Sequence, residues 1–141
     1  MGYTHYWDGA HNSDSQWQSF CEDVRKILQT TNVPIVREYD RNDPPEISDN
    51  LVAFNGVNDD GHETFYVERK GIGFAFCKTA RKPYDKVVIA CLIAGFENDI
   101  FSSVSSDGRG EEGFDQAGKE LYELALQKSP NKWIDNWKVE E

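Results

Sequence analysis

The sequence predicts an α+β fold in which two to three helices pack on one face of a mainly antiparallel sheet. Three observations carry that expectation. Residues 14–30 repeat apolar side chains at helical spacing. The run Val87 to Phe96 is apolar almost without interruption. Between these two stretches lie several short alternating segments with no helix among them, which is the order of an α+β chain rather than of a βαβ one. At 141 residues the chain is one domain, residues 1–128, with an aromatic tail at 129–141. A chain of this length buries roughly 68–70% of its unfolded surface, enough for one core.

Gly2 to Trp7 alternates aromatic and β-branched side chains and reads as a short strand, followed by a turn at Asp8–Asn12. Ser13 or Asp14 caps a helix that runs to about Thr30. Trp17, Phe20, Cys21, Val24, Ile27 and Leu28 form its single apolar stripe. Val33 to Glu38 is a short strand that Pro34 places at an edge or a start. Asp40 to Asn50 is a solvated loop, and Leu51 to Asn55 a brief strand. After turn residues at Gly56–Gly61, His62 to Arg69 alternates, with Phe65 and Val67 on one face. Lys70–Gly71 turns into Ile72 to Cys77, so the two segments predict a hairpin.

Pro83 suits the first position of a helix, and Lys82 before it marks the boundary. The following apolar run covers nearly the whole helix circumference, so this helix packs on most sides. Phe101 to Ser105 is a strand ending in the turn Ser105-Ser106-Asp107-Gly108. Gly113 or Asp115 opens a third helix to about Gln127, with Phe114, Ala117, Leu121, Leu124 and Ala125 inward. Trp133, Ile134 and Trp137 form a small apolar patch beyond it.

Composition limits the function classes. The net charge of -10 argues against a partner as long as DNA or RNA, which requires a broad basic face. Acidic residues are spread along the whole chain, which speaks against a DNA mimic. Cys21, Cys77 and Cys91 are odd in number and lack CxxC spacing, so neither a disulfide framework nor a zinc site is expected. The N-terminus has no basic region and apolar stretch of a secretory signal. Val87 to Phe96 is about half a membrane span. The expected location is therefore cytoplasmic, without a membrane partner.

Positive charge is nevertheless concentrated in one place. Arg69, Lys70, Lys78, Arg81, Lys82 and Lys86 are six of the 15 basic residues, and lie within 18 positions that hold one acid, Asp85. The segment Gly73–Asp85 reads as strand, basic loop and helix N-terminus. A helix N-terminus offers unsatisfied N–H groups and partial positive charge to an anion. Lys78, Thr79, Arg81 and Lys82 are the candidate phosphate ligands, with Arg81 suited to bidentate contact. The alternative is a set of solvated charges, with Asp85 itself as the dipole partner. No Walker or GxGxxG pattern is present.

Three further groups accompany it. Tyr3, His5 and Trp7 share one face of the first strand while Thr4 and Tyr6 share the other. Rings there, with Tyr84, are candidates to stack on a planar ligand, or are simply half-buried packing. Ser105, Ser106 and Asp107 offer hydroxyls and a carboxylate for ribose or amide contacts, or form a plain turn. Asp60, His62 and Glu63, with His5, hold the donor types that a metal would use, but show no HxH, HExxH or EF-hand spacing. No metal and no cofactor are expected. Cys77, if exposed beside the basic loop, would have a lowered pKa.

Taken together, Gly2-Tyr3-Thr4-His5-Tyr6-Trp7, Phe54-Asn55-Gly56, His62-Glu63-Thr64-Phe65, Phe76 to Asp85 and Ser105-Ser106-Asp107-Gly108 resemble a family of small proteins carried by tailed phages and prophages. The resemblance spans residues 1 to about 126 and is most specific over Phe76–Asp85. It brings no activity and no catalytic residues. It implies an accessory phage protein in the bacterial cytoplasm.

The leading expectation is a binder of a small anionic nucleotide-like ligand that sequesters a bacterial immune signal. A hydrolase of such a nucleotide is the first alternative, with Asp60, His62, Glu63 and His5 as metal ligands or acid–base groups. A protein-binding module is the second, with the Trp133–Trp137 patch docking a host partner or another protomer. Binding is favoured over catalysis because no nucleophile arrangement is legible.

Overall fold

A computed structural model of the chain describes residues 3–107 and 114–131. The elements run β1 (Thr4–Gly9), α1 (Asp14–Thr30), β2 (Ile35–Val36), β3 (Glu46–Ile47), β4 (Leu51–Gly56), β5 (Phe65–Glu68), β6 (Gly73–Lys78), α2 (Asp85–Glu97), β7 (Phe101–Ser106) and α3 (Phe114–Leu126). The fold is α+β, and every strand pair described is antiparallel. No helix among the described residues is long and apolar enough to cross a membrane. The Trp133–Trp137 patch and Gly108 lie outside the described residues.

Local chemistry explains α1. Ser13 Oγ accepts from the Gln16 N–H while Gln16 Oε1 accepts from the Ser13 N–H, a reciprocal capping box. Trp17, Phe20, Cys21, Val24 and Ile27 are buried along one stripe, and Leu28 packs at its margin.

The strands form two sheets, not one. β1 lies between β6 and β7. In the other sheet β4 pairs with β2, β3 and β5. The hairpin expected between residues 62–69 and 72–77 does not form. β5 pairs with β4, and β6 with β1. Gly71 N–H bonds Glu68 O, and Gly73 takes a φ of 101°, which a side chain would resist. The chain turns there and leaves one sheet for the other. Packing rewards the change of partner, because the small Ala75 and Cys77 lie opposite the bulky Trp7 and His5.

α2 begins at Asp85, two residues after Pro83. Asp85 N–H closes a turn onto Lys82 O, so the proline sits in the approach rather than in the helix. Val87 to Gly95 are all buried, as the unbroken apolar run requires. α3 is rotated from its expected setting. Leu121 and Tyr122 are buried, while Ala117 is exposed and Leu124 is 61% exposed. The cause is Gly118. A Cβ there would come within 2.2 Å of Ile89 Cγ2, so the helix meets α2 at the one residue without a side chain. Buried residues of α1, α2, β4, β5 and the inward side of β1 and β7 make one continuous core.

Candidate functional site

Period-two alternation sends Tyr3, His5 and Trp7 into the core and leaves Thr4, Tyr6 and Asp8 on the other face. His5 lies opposite Cys77 on β6 and Ser106 on β7, and is 0% exposed. Its Nδ1 is 2.8 Å from Ser106 Oγ, and its Nε2 is 2.6 Å from Asp85 Oδ1. A carboxylate only accepts, so Nε2 carries the proton, and in the neutral imidazole Nδ1 accepts from the Ser106 hydroxyl. Thr79, also fully buried, donates its hydroxyl to the same Asp85 oxygen. Residues of β1, β7, the basic loop and α2 thus join in one hydrogen-bonded chain, Ser106 to His5 to Asp85, with Thr79 alongside.

This corrects the expected anion position. The first turn of α2 holds the protein's own carboxylate, Asp85, and Thr79 serves that carboxylate rather than a ligand. The charge that the helix end attracts is built in.

The loop between β6 and α2 has an unusual backbone. Ala80 and Arg81 both have positive φ, 54° and 59°. For residues other than glycine this costs roughly 1–2 kcal/mol each. The N–H groups of Thr79 and Ala80 both reach Tyr3 O, at 3.1 and 3.2 Å. The result holds the Arg81 guanidinium 3.8 Å from the centre of the Tyr3 ring. Tyr3 in turn meets His5 edge-on at 5.3 Å. Lys78 and Lys82 are half-buried and make no ion pair among the described residues.

Other expected ligand residues fall elsewhere. Trp7 is buried at the far end of β1 against Phe65 and Phe101, so it is a core residue and not a stacking surface. Tyr84 is fully buried, with its hydroxyl donating to Glu63 O. Tyr3 presents its ring to Arg81 and His5 and is itself buried. Ser105 sits half-buried on the outward face, away from His5. Asp107 is exposed and fastens β7 to β1, accepting from Thr4 N–H at 3.1 Å and Tyr6 OH at 3.0 Å. Cys77 is buried, and burial pushes its thiol up to about 12, the reverse of an activated cysteine.

Asp60, His62 and Glu63 are exposed on a turn that the buried Asn55 organises. Its Oδ1 accepts from Gly56 and His62 N–H groups, and its Nδ2 donates to His62 O and Thr64 Oγ1. His5 is enclosed by Ser106 and Asp85. Among the described residues no three His, Cys, Asp or Glu side chains gather to hold a metal.

Sequence reasoning missed two things here. The partnership of His5 with Asp85 crosses 80 positions and has no local signal. The outward rings Tyr6, Phe74 and Phe76 did have one: β6 alternates large Phe74, Phe76 and Lys78 with small Ala75 and Cys77. No protein-family model matches the chain, and neither a curated protein nor a solved structure proves similar to it.

Proposed function

We propose that the chain binds a small anionic nucleotide-like ligand at the corner where β1, the 79–84 loop and the end of β7 meet. One observation carries this reading. Two consecutive non-glycine residues hold positive φ there, and the conformation presents a guanidinium over an aromatic ring. Backbone strain of this kind is retained where surrounding structure enforces it, and it clusters at ligand sites. Lys78 and Lys82 add ammonium groups beside Arg81. With Thr79 turned inward, the phosphate contacts belong to Arg81, Lys82 and Lys78. The net charge of -10 repels long nucleic acid and leaves this corner for a small anion. The resemblance to phage-borne proteins supplies the context in which such a ligand is a bacterial immune signal, held and removed from circulation in the host cytoplasm.

The test is a thermal-shift and calorimetric screen over cyclic di- and trinucleotides and ADP-ribose derivatives. Ligand at 100 times its dissociation constant adds about 2.7 kcal/mol to stability. Arg81→Ala with Lys82→Ala abolishes that binding and leaves the melting temperature of the free protein within a few degrees. Unaltered binding by the double variant sinks the reading.

A hydrolase of the same ligand is the second reading, favoured by the Ser106–His5–Asp85 chain. In it His5 Nδ1 takes a proton from Ser106 as that oxygen attacks the ligand's phosphorus and the ester P–O bond breaks. His5 returns the proton to the departing oxygen, and a water then releases the phosphoserine in the same way. Incubation followed by denaturation separates the two. Intact ligand recovered at stoichiometry identifies a binder. Turnover that His5→Gln and Ser106→Ala both remove identifies the enzyme.

A further inference from the structure

The β6–β1–β7 sheet has a second face that the buried network does not use. Phe74 and Phe76 project from β6 at 66% and 54% exposure. Tyr6 stands beside them on β1, directly opposite Phe76. Its ring stacks on Phe74 at 6.0 Å with planes 23° apart, and Phe74 lies 6.1 Å from Phe76. The Tyr6 hydroxyl is fixed by Asp107, so that ring is held upright. Rings that touch one another on an outward sheet face mark a surface that binds something.

Charge and order along the strand say what covers them. Lys78 follows Phe76 on the same face, roughly 7 Å farther along. It leads directly into the loop that carries Arg81 and Lys82. The ring row therefore ends at the cations, while Asp8 lies opposite Phe74 at the other end. This matches a ligand that is planar and neutral at one end and anionic at the other. A second copy of the chain would bring its own charge of -10 against the same surface, and a long polyanion would meet that charge too.

We infer that the outward face of this sheet is a stacking platform for a nucleobase: Phe76, with Phe74 and Tyr6, takes the base, and Lys78 takes the phosphate nearest it. This rests on the anion-binding reading above and deepens it. It moves the stacking role from Tyr3, Trp7 and Tyr84, which are buried, to the outward rings, of which Phe74 and Phe76 are exposed and Tyr6 is half-buried. Stacking of this kind tolerates any base, because each has a π face. Discrimination among bases then comes from the polar rim, where Ser103 and Ser105 lie beside the rings on β7.

The experiment compares four proteins: wild type, Phe76→Leu, Phe74→Leu with Phe76→Leu, and Arg81→Ala with Lys82→Ala. Leucine keeps an apolar side chain and removes the π surface. Calorimetry uses cyclic di-AMP, the four nucleoside monophosphates, and ribose 5-phosphate as the base-free control. Phe76→Leu is expected to weaken the base-containing probes about ten-fold, and the double leucine variant further, in line with measured losses per stacked base. Ribose 5-phosphate binding stays as in wild type. Base-containing probes that bind the leucine variants as tightly as wild type overturn the platform, and if Arg81→Ala with Lys82→Ala still abolishes binding, the anion reading survives. Leucine variants that weaken binding while the basic double variant does not leave the platform standing and remove the anion corner. Wild type that binds none of the probes at millimolar concentration overturns both. Light scattering that finds a wild-type dimer, dissociated by the leucine changes, assigns the rings to self-association and also overturns the platform.

Discussion

The two faces of the β6–β1–β7 sheet are built from alternate residues of the same strands, and both are aromatic, yet they do opposite things with their rings. Inward, Tyr3, His5 and Trp7 are closed off by helices and by the second sheet's residues. Every polar atom of His5 is matched, by Ser106 on one side and Asp85 on the other. Outward, the exposed Phe74 and Phe76 and the half-buried Tyr6 pack on one another. Side-chain type does not distinguish the faces. Burial does, and burial follows from which neighbours the strands recruit. Ala75 and Cys77 leave room inside for Trp7 and His5, and the displaced bulk of β6 goes outside.

The inward face is itself divided. Its Trp7 end is dry, and its His5 end is polar. The largest expected effect lies at the dry end. Trp7→Ala removes a buried ring that touches Phe65 and Phe101, and should cost about 3–5 kcal/mol. Denaturant titration should show a lower midpoint with an unchanged slope. A loss below about 1 kcal/mol would mean that the indole is not the wedge between the two sheets.

At the polar end, Asp85→Ala strips two donors of their acceptor, His5 Nε2–H and the Thr79 hydroxyl. Leaving buried donors unpaired beside a lost charge costs about 3 kcal/mol. Asp85→Asn, which keeps one acceptor oxygen, should recover part of it. Equal melting of the alanine and asparagine variants would show that the network is not what holds β1 to α2.

How much of this was legible follows from how far each signal travels along the chain. The Ser13 capping box and the Trp17–Ile27 stripe are contained in one helix, and the helix formed as read. The Val87–Gly95 run states its own burial. The alternation of β1 correctly paired Tyr3, His5 and Trp7 on one face. What failed was partnership. β6 next to β1 rather than β5 depends on residues far apart in the chain meeting, from Gly9 with Gly73 to Thr4 with Lys78. The rotation of α3 depends on Gly118 finding Ile89. The site was half-legible for the same reason: Tyr3, His5, Thr79, Arg81 and Ser106 do converge, but the carboxylate that claims the helix end is Asp85. Asp85 was legible as the alternative dipole partner; that His5 and Thr79 both bind this carboxylate is what only the three-dimensional path shows.

Cys77 offers a smaller, pH-dependent contrast within the inward row. Burial raises its thiol to about 12, above the roughly 8.5 of an unfolded cysteine. The folded state therefore favours the protonated thiol. That contribution is fully present below pH of about 8.5 and is lost as pH rises toward 12, at up to about 1.4 kcal/mol per pH unit for this one group. Cys77→Ala should flatten the fall in stability over this window, measured by urea titration at several pH values. An identical slope in the variant would place the thiol in water rather than beside His5.

The smallest effect on stability belongs to the outward rings, and it is the one that tests the contrast most directly. Phe74→Leu and Phe76→Leu exchange one exposed apolar side chain for another, so stability should change by no more than about 0.5 kcal/mol. The same two residues are where ligand affinity should fall. Trp7 behaves in the opposite sense, because its removal lowers stability and leaves the outward rings in place. Two aromatic rows on one sheet would then separate cleanly by thermal melting and calorimetry, one row setting stability and the other affinity. If the leucine variants instead melt several degrees lower, the outward rings are covered by part of the protein and the two faces are not different in kind.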